Sequence, residues 1–312
     1  MRALVTGPTG CIGHALILEL LSRGYEVIAV VRPASKNAAS IPDDPRVMRI
    51  ECELRDLLTL SGSLPPCSLF FHLGWEGTFG ASRDTEEGQE RNVETTLKAV
   101  RLAKALGCGA FLFAGSQSEF GHVDGVLSPD LPCSPVTFYG KAKLRAGILS
   151  RALCREFGIR HVECRLFSSF GPFDKPYNLI MDTVSKLLEK ERLSFTAGDQ
   201  VWDYLYSKDV AQALYLAAEN GRDQAVYCVG SGRTRTLKEY LTAVRDIADP
   251  SQELHFGELP YYPSQVMHLE ADIRTLCADT GFQPRYTFEE GVRETVEWAK
   301  RRRAGQTPAD RC

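Results

Sequence analysis

Along the first half of the chain, short runs of apolar residues alternate with longer segments whose apolar positions recur every three to four residues. The runs at 3–6, 26–31, 47–51, 69–73, 110–114 and 161–167 have strand length, and those at 3–6, 26–31, 69–73 and 110–114 are almost continuously apolar. A strand of that kind is covered on both of its faces. Segment 11–23 carries Ile12, Leu16 and Leu20 on one helical face and stops at Gly24. Segments 86–106 and 136–157 stop in the same way at Gly107 and Gly158, the residue type that most readily terminates a helix. Strands alternating with helices predict an α/β fold built on a doubly wound parallel sheet.

Beyond Gly171-Pro172 the alternation loosens. Helices are expected at 179–191, 208–219, 236–247 and 287–303, with a strand at 203–206 leading into the second of them. Thr287 and Glu290 have capping-box spacing at the start of the last helix. Residues 1–171 are therefore expected to form one doubly wound domain, with 203–220 packing back on it. Residues 172–312 would be mainly a second, smaller domain, ending in a frayed tail at 304–312.

Composition narrows the class. The 312 residues are 44% hydrophobic and 25% charged, ordinary values for a globular chain. Lys plus Arg number 37 against 40 Asp plus Glu, so no broad positive field favours nucleic acid or an anionic membrane. No apolar run approaches the roughly 20 residues of a membrane span. With a strand expected from Ala3, no leader peptide is expected, and the expected location is the cytoplasm. The ten cysteines are dispersed without a CxxC pair, and the six histidines form no HxxxH or HxH pattern. Free thiols and no metal site are expected.

Gly7-Pro8-Thr9-Gly10-Cys11-Ile12-Gly13 joins the first strand to the first helix. In that setting the first glycine allows the tight turn and the second lets backbone amides approach a pyrophosphate. The third packs helix against strand. The helix N-terminus, with its unpaired N–H groups, faces the phosphates. The second strand ends at Arg32, followed by Ser35 and Lys36, where a binder of NAD carries an acidic residue. A guanidinium suits a 2′-phosphate. NADP(H) is favoured over NAD(H).

Tyr139 and Lys143 share a helix face at i, i+4, where an ammonium would make a phenol a better acid–base group. Ser116 follows the strand at 110–114, at the end of a parallel sheet where ligands bind. With these residues the chain resembles the extended short-chain dehydrogenase/reductase family, the NAD-dependent epimerase/dehydratase group acting on nucleotide sugars. Further carriers of the resemblance are Phe71-His72-Leu73-Gly74, Asn92, the segment Arg165 to Pro172, and the segment Asp203 to Ala211.

The resemblance implies a Rossmann domain and a smaller C-terminal substrate domain. It also implies a homodimer through helices 86–106 and 136–157. By position it assigns Tyr139 as acid–base, Lys143 to the nicotinamide ribose and Ser116 to the reacting oxygen. Gly7, Gly10, Cys11, Ile12, Gly13, Arg32, Ser35, Glu53, Leu54, Leu73, Gly74, Trp75, Asn92 and Phe167 would contact the cofactor. Trp75, Gln117, Ser118, Ser168, Asn178, Leu179 and Trp202 would contact substrate. The chain departs from the family where the 4,6-dehydratases carry an Asp-Glu pair, since it has Gln117 and Ser118 there. Trp202 stands where an arginine usually grips the nucleotide diphosphate.

A dehydratase is therefore disfavoured. The leading expectation is an NADPH-dependent reductase of a C4 keto group on a nucleotide-linked deoxysugar. A nucleotide-sugar 4-epimerase, a reductase of a non-sugar ketone or aldehyde, and a non-catalytic dinucleotide sensor are the alternatives.

Overall fold

The computed structural model describes residues 1–35 and 37–305. Lys36 and most of the tail expected to fray, 306–312, lie outside the described residues. Five strands open the chain: β1 (Arg2–Thr6), β2 (Glu26–Val31), β3 (Val47–Glu51), β4 (Leu69–His72) and β5 (Ala110–Ser116). With Arg160–Leu166 and Ala225–Val229 they form one seven-stranded sheet, parallel throughout. From one edge the order is β3, β2, β1, β4, β5, Arg160–Leu166 and Ala225–Val229. The chain reverses direction across the sheet between β1 and β4. That reversal opens a crevice at their carboxyl ends.

Helices α1 (Cys11–Ser22) and α5 (Ser207–Asn220) cover one face of this sheet. Helices α2 (Glu86–Ala105) and α3 (Phe138–Phe157) cover the other. Leu4, Phe70 and Phe111 face the α2–α3 layer while Ala3, Val5 and Phe71 face the α1–α5 layer. This alternation explains the continuous apolar runs in the sequence.

A second body packs α4 (Leu179–Glu189), α6 (Leu237–Ala248) and α7 (Phe288–Arg303) around Phe170, Tyr240 and Val292. Its small sheet has Val201–Tyr206 between Thr234–Thr236 and His268–Ala271. The buried carboxylate of Asp203 fastens this sheet, accepting from the backbone N–H groups of Ser231, Gly232 and Ala271. Asp209, also buried, accepts from the N–H groups of Arg285 and Tyr286. The acidic positions of the 203–211 segment thus hold the two bodies in register. Thr287 and Glu290 form the expected capping box. The third helix begins at Phe138 and not at 136, because the Thr137 hydroxyl caps it by accepting from Gly140 N–H.

Candidate active site

The crevice between β1 and β4 opens into two adjoining cavities of about 520 and 630 Å³ that share Gly7, Gly10, Leu73 and Trp75. Gly7 has a φ of +71°, and a Cβ there would meet the backbone of Leu73 and Gly74 at 2.9 Å. Only glycine fits both requirements. A Cβ on Gly13 would lie 2.1 Å from the Gly7 carbonyl oxygen, so this residue sets how closely α1 approaches β1. A Cβ on Gly10 would meet nothing within 4 Å. The space before Gly10 is thus open at the N-terminus of α1. A pyrophosphate fits this cradle through backbone N–H groups and the positive end of the helix.

The larger cavity runs from that turn to the end of β2, where Arg32 and Ser35 line it together with Gly74 and Leu54. Cys52 lines it as well, whereas Glu53 is not among its lining residues. The smaller cavity continues over the ends of β4 and β5. It is lined by Cys11, Ile12, Gly13, Ser116, Tyr139, Lys143, Phe167, Ser168, Asn178 and Leu179.

The serine, tyrosine and lysine therefore converge. Ser116 ends β5, and its hydroxyl accepts from Ser118 N–H at 3.2 Å. Lys143 is buried, donates to the Ala114 carbonyl at 2.7 Å, and places Nζ 3.8 Å from the centre of the Trp75 ring. Burial pushes its pKa down to about 7, against the opposing pull of Glu119 and Glu163. Burial also raises Tyr139, and the nearby Ser116 hydroxyl and Arg83 oppose that rise. The phenol is thus not held below its ordinary range by Lys143, as the i, i+4 spacing suggested. The ammonium is turned to a carbonyl and an indole instead.

Behind Ser116 lies a buried ionic cluster. Glu119 Oε1 accepts from Ser116 N–H at 2.7 Å, and Oε2 accepts from Arg165 Nε at 2.9 Å. Arg165 also reaches Glu163, which pairs with Arg151. Burial and the Glu163 charge raise the Glu119 pKa to about 8. This carboxyl points into the protein and braces the serine.

Several expected contacts fall elsewhere. Asn92 does not line either cavity: its amide accepts from Glu76 N–H and donates to the carbonyls of Glu76 and Gly88, pinning the loop after β4. Trp202 is packed between two cores and donates to Ser168 Oγ at 2.7 Å, so it supports a cavity residue from behind. Gln117 and Ser118 sit in the turn beyond Ser116 without lining the cavity, and Ser118 Oγ accepts from Arg83.

Other lining residues gave no signal in the sequence. Arg83 lies with its guanidinium carbon 4.4 Å from the Tyr139 ring centre. Phe79 and Tyr177 stack at 3.7 Å across the mouth, joining the loop after β4 to the loop before α4. Asp174 is the only carboxyl lining the smaller cavity among the described residues. One of its oxygens accepts from Lys175 N–H and Asn178 Nδ2. No group of three or more His, Cys, Asp or Glu side chains is placed to hold a metal among the described residues. No helix among them is long and apolar enough to cross a membrane.

Residues 3–230 match the NAD dependent epimerase/dehydratase family, and the chain belongs to that family. It is 28% identical over 340 residues to a dTDP-glucose 4,6-dehydratase of Escherichia coli, spanning 96% of this chain and 92% of that one. Among solved structures, the UDP-glucose 4-epimerase of Thermotoga maritima is similar at 25% identity and a TM-score of 0.86, covering 97% and 99% of the two chains. The dTDP-glucose 4,6-dehydratase DesIV of Streptomyces venezuelae, with NAD bound, is similar at 25% identity and a TM-score of 0.84, covering 99% and 100%.

Proposed function

We propose that the protein is an NADPH-dependent reductase of a keto group, at C4 of a nucleotide-linked deoxysugar, acting in the cytoplasm. One observation carries this reading: the turn after the catalytic serine offers the cavity no carboxyl group. Ser118 is engaged by Arg83, and Glu119 is sealed behind the strand with Arg165. Elimination of water from a sugar needs an acid and a base besides the tyrosine. Reduction needs only one proton donor and an oxygen site. Gln117 and Ser118 stand where the family resemblance places the Asp-Glu pair of the dehydratases.

The chain's own groups account for the proton side of that reaction. Tyr139 donates its phenolic proton to the substrate oxygen as that oxygen becomes a hydroxyl. Ser116, braced by Glu119, holds the same oxygen by a hydrogen bond. Lys143 and the Gly10 turn are the groups suited to hold the cofactor's ribose and pyrophosphate. Bound there, a nicotinamide cofactor supplies the hydride. Trp75 and Phe167 line the cavity with apolar surface, which limits water around the reacting centre. At the far end, Arg32 and Ser35 offer donors to a 2′-phosphate, which supports NADPH over NADH.

A nucleotide-sugar 4-epimerase is the second reading, favoured by the likeness to the Thermotoga enzyme and compatible with the same three side chains. A homodimer through α2 and α3 belongs to the same proposal, supported by Ile148, 54% exposed on α3. Cofactor behaviour separates the two readings. Calorimetric affinities for NADPH and NADH, with mass spectrometry of any ligand released from purified protein, should show exchangeable NADPH binding the tighter. Co-purified NAD that never turns over would favour the epimerase.

A further inference from the structure

We propose that Arg83 is a further cation that favours ionisation of Tyr139, a positioning residue for proton transfer outside the serine–tyrosine–lysine set. The inference rests on Tyr139 being the acid–base group, although its test needs no substrate.

The groups around the phenol come from four elements. Helix α3 supplies Lys143, whose Nζ is 5.9 Å from the Tyr139 ring centre and is directed to Trp75 and the Ala114 carbonyl. The end of β5 and its turn supply Ser116 and, behind it, Glu119 with Arg165. The loop after β4 supplies the Trp75 ring, edge-on at 6.1 Å. The turn Ala81–Asp84 supplies Arg83, whose guanidinium lies over the ring at 4.4 Å.

Two properties suit the guanidinium to that role. It stays protonated at any working pH, whereas burial leaves Lys143 near the middle of its titration at neutrality. Arg83 also has no carboxylate partner among the described residues. Its Nη2 donates to the Ser118 hydroxyl at 2.9 Å, a neutral acceptor that leaves the charge uncancelled. The turn carrying it is fixed, because Gln89 donates to the carbonyls of Gly77 and Ser82. A fixed, unneutralised cation beside a phenol favours the phenolate. Burial and, more weakly, the negative Glu119 work in the opposite direction, and the Ser116 hydroxyl acts in the same direction as Arg83.

Nitration by tetranitromethane reads the phenolate directly, since that is the form attacked. The rate at Tyr139 would be mapped by mass spectrometry at pH 8 in the native full-length chain, R83Q and R83K. Tyr262, 77% exposed, serves as the internal reference. Loss of one neighbouring unit charge is expected to slow Tyr139 nitration about tenfold in R83Q, with R83K recovering most of the rate. If Arg83 merely covers the ring, R83Q uncovers it and nitration speeds up. An unchanged or faster rate in R83Q overturns the inference, as does a rate in R83K no higher than in R83Q. Slowed nitration in a protein without reductase activity keeps this inference and removes the functional reading above.

Discussion

The glycine turn yields a paired perturbation whose two halves must come out oppositely. Gly10 precedes α1 with φ −87° and ψ 169°, a conformation open to any residue, and a Cβ there touches no protein atom within 4 Å. Gly10→Ala should leave the stability of the free protein within about 1 kcal/mol of native. The added methyl group instead occupies the space before the amides of Cys11 and Ile12. Loss of close approach there should weaken NADPH binding by about 10- to 100-fold, or roughly 1.4–2.8 kcal/mol. Gly13→Ala reverses the outcome. Its Cβ would stand 2.1 Å from the Gly7 carbonyl oxygen and 2.8 Å from the Pro8 Cα. Backbone atoms offer no rotamer escape, so the overlap should cost about 3 kcal/mol and lower Tm by roughly 5 °C or more. Thermal melts of the free variants and calorimetric titration with NADPH measure both halves. Native affinity in Gly10→Ala would show that this turn is not the phosphate cradle. A native Tm in Gly13→Ala would show that the α1–β1 contact is not close-packed as described.

The other perturbations address the cofactor and the proton. Arg32→Asp should exchange the preference for NADPH for one for NADH, read as a reversal of the two affinities, because a carboxylate suits a ribose diol and repels a 2′-phosphate. Tyr139→Phe should keep fold and cofactor binding while turnover falls by about 10²–10⁴-fold, the usual contribution of a positioned proton donor. Lys143→Met should abolish most turnover yet keep Tm within about 2 °C of native or raise it, since it removes a charge whose burial is costly. For the native protein, the pKa of Lys143 is lowered on folding from the ordinary 10.5 to about 7. Its charge therefore opposes folding fully below pH 7, and that opposition is relieved as pH rises from about 7 to 10.5. The Tm gain of Lys143→Met over native should accordingly be largest at or below pH 7 and shrink toward pH 10, as melts across that range would show.

Features governed by local periodicity were legible in the sequence. The strands, the helix stops at Gly24, Gly107 and Gly158, and the glycine turn follow from neighbouring residues alone. Ser116, Tyr139 and Lys143 line one cavity because β5 ends beside the first turns of α3. Features made by contacts between distant loops were not. Arg83 sits in a turn without periodicity, and its place over Tyr139 is set by Gln89 anchoring that turn to α2. Phe79 and Tyr177 meet only because two loops cross the cavity mouth. The strand Ala225–Val229 lies in the half of the chain where the alternation loosens, yet it completes the sheet beside Arg160–Leu166. Asn92 and Trp202 illustrate the converse. Motif position suggested ligand contacts, while their polar atoms are committed to the protein's own Glu76 and Ser168.

The central claim is net reduction of a nucleotide-linked keto sugar, and isotope transfer tests it most directly. The protein would be incubated with NADPH carrying deuterium at the transferable position and a panel of nucleotide-linked 4-keto-6-deoxysugars. Cofactor absorbance and product mass would be followed together. The account predicts one NADPH oxidised per product formed, with one deuterium fixed at the new carbinol carbon. Interconversion of nucleotide-sugar epimers by the same protein, with no net NADPH oxidation and no deuterium in the product, would contradict it.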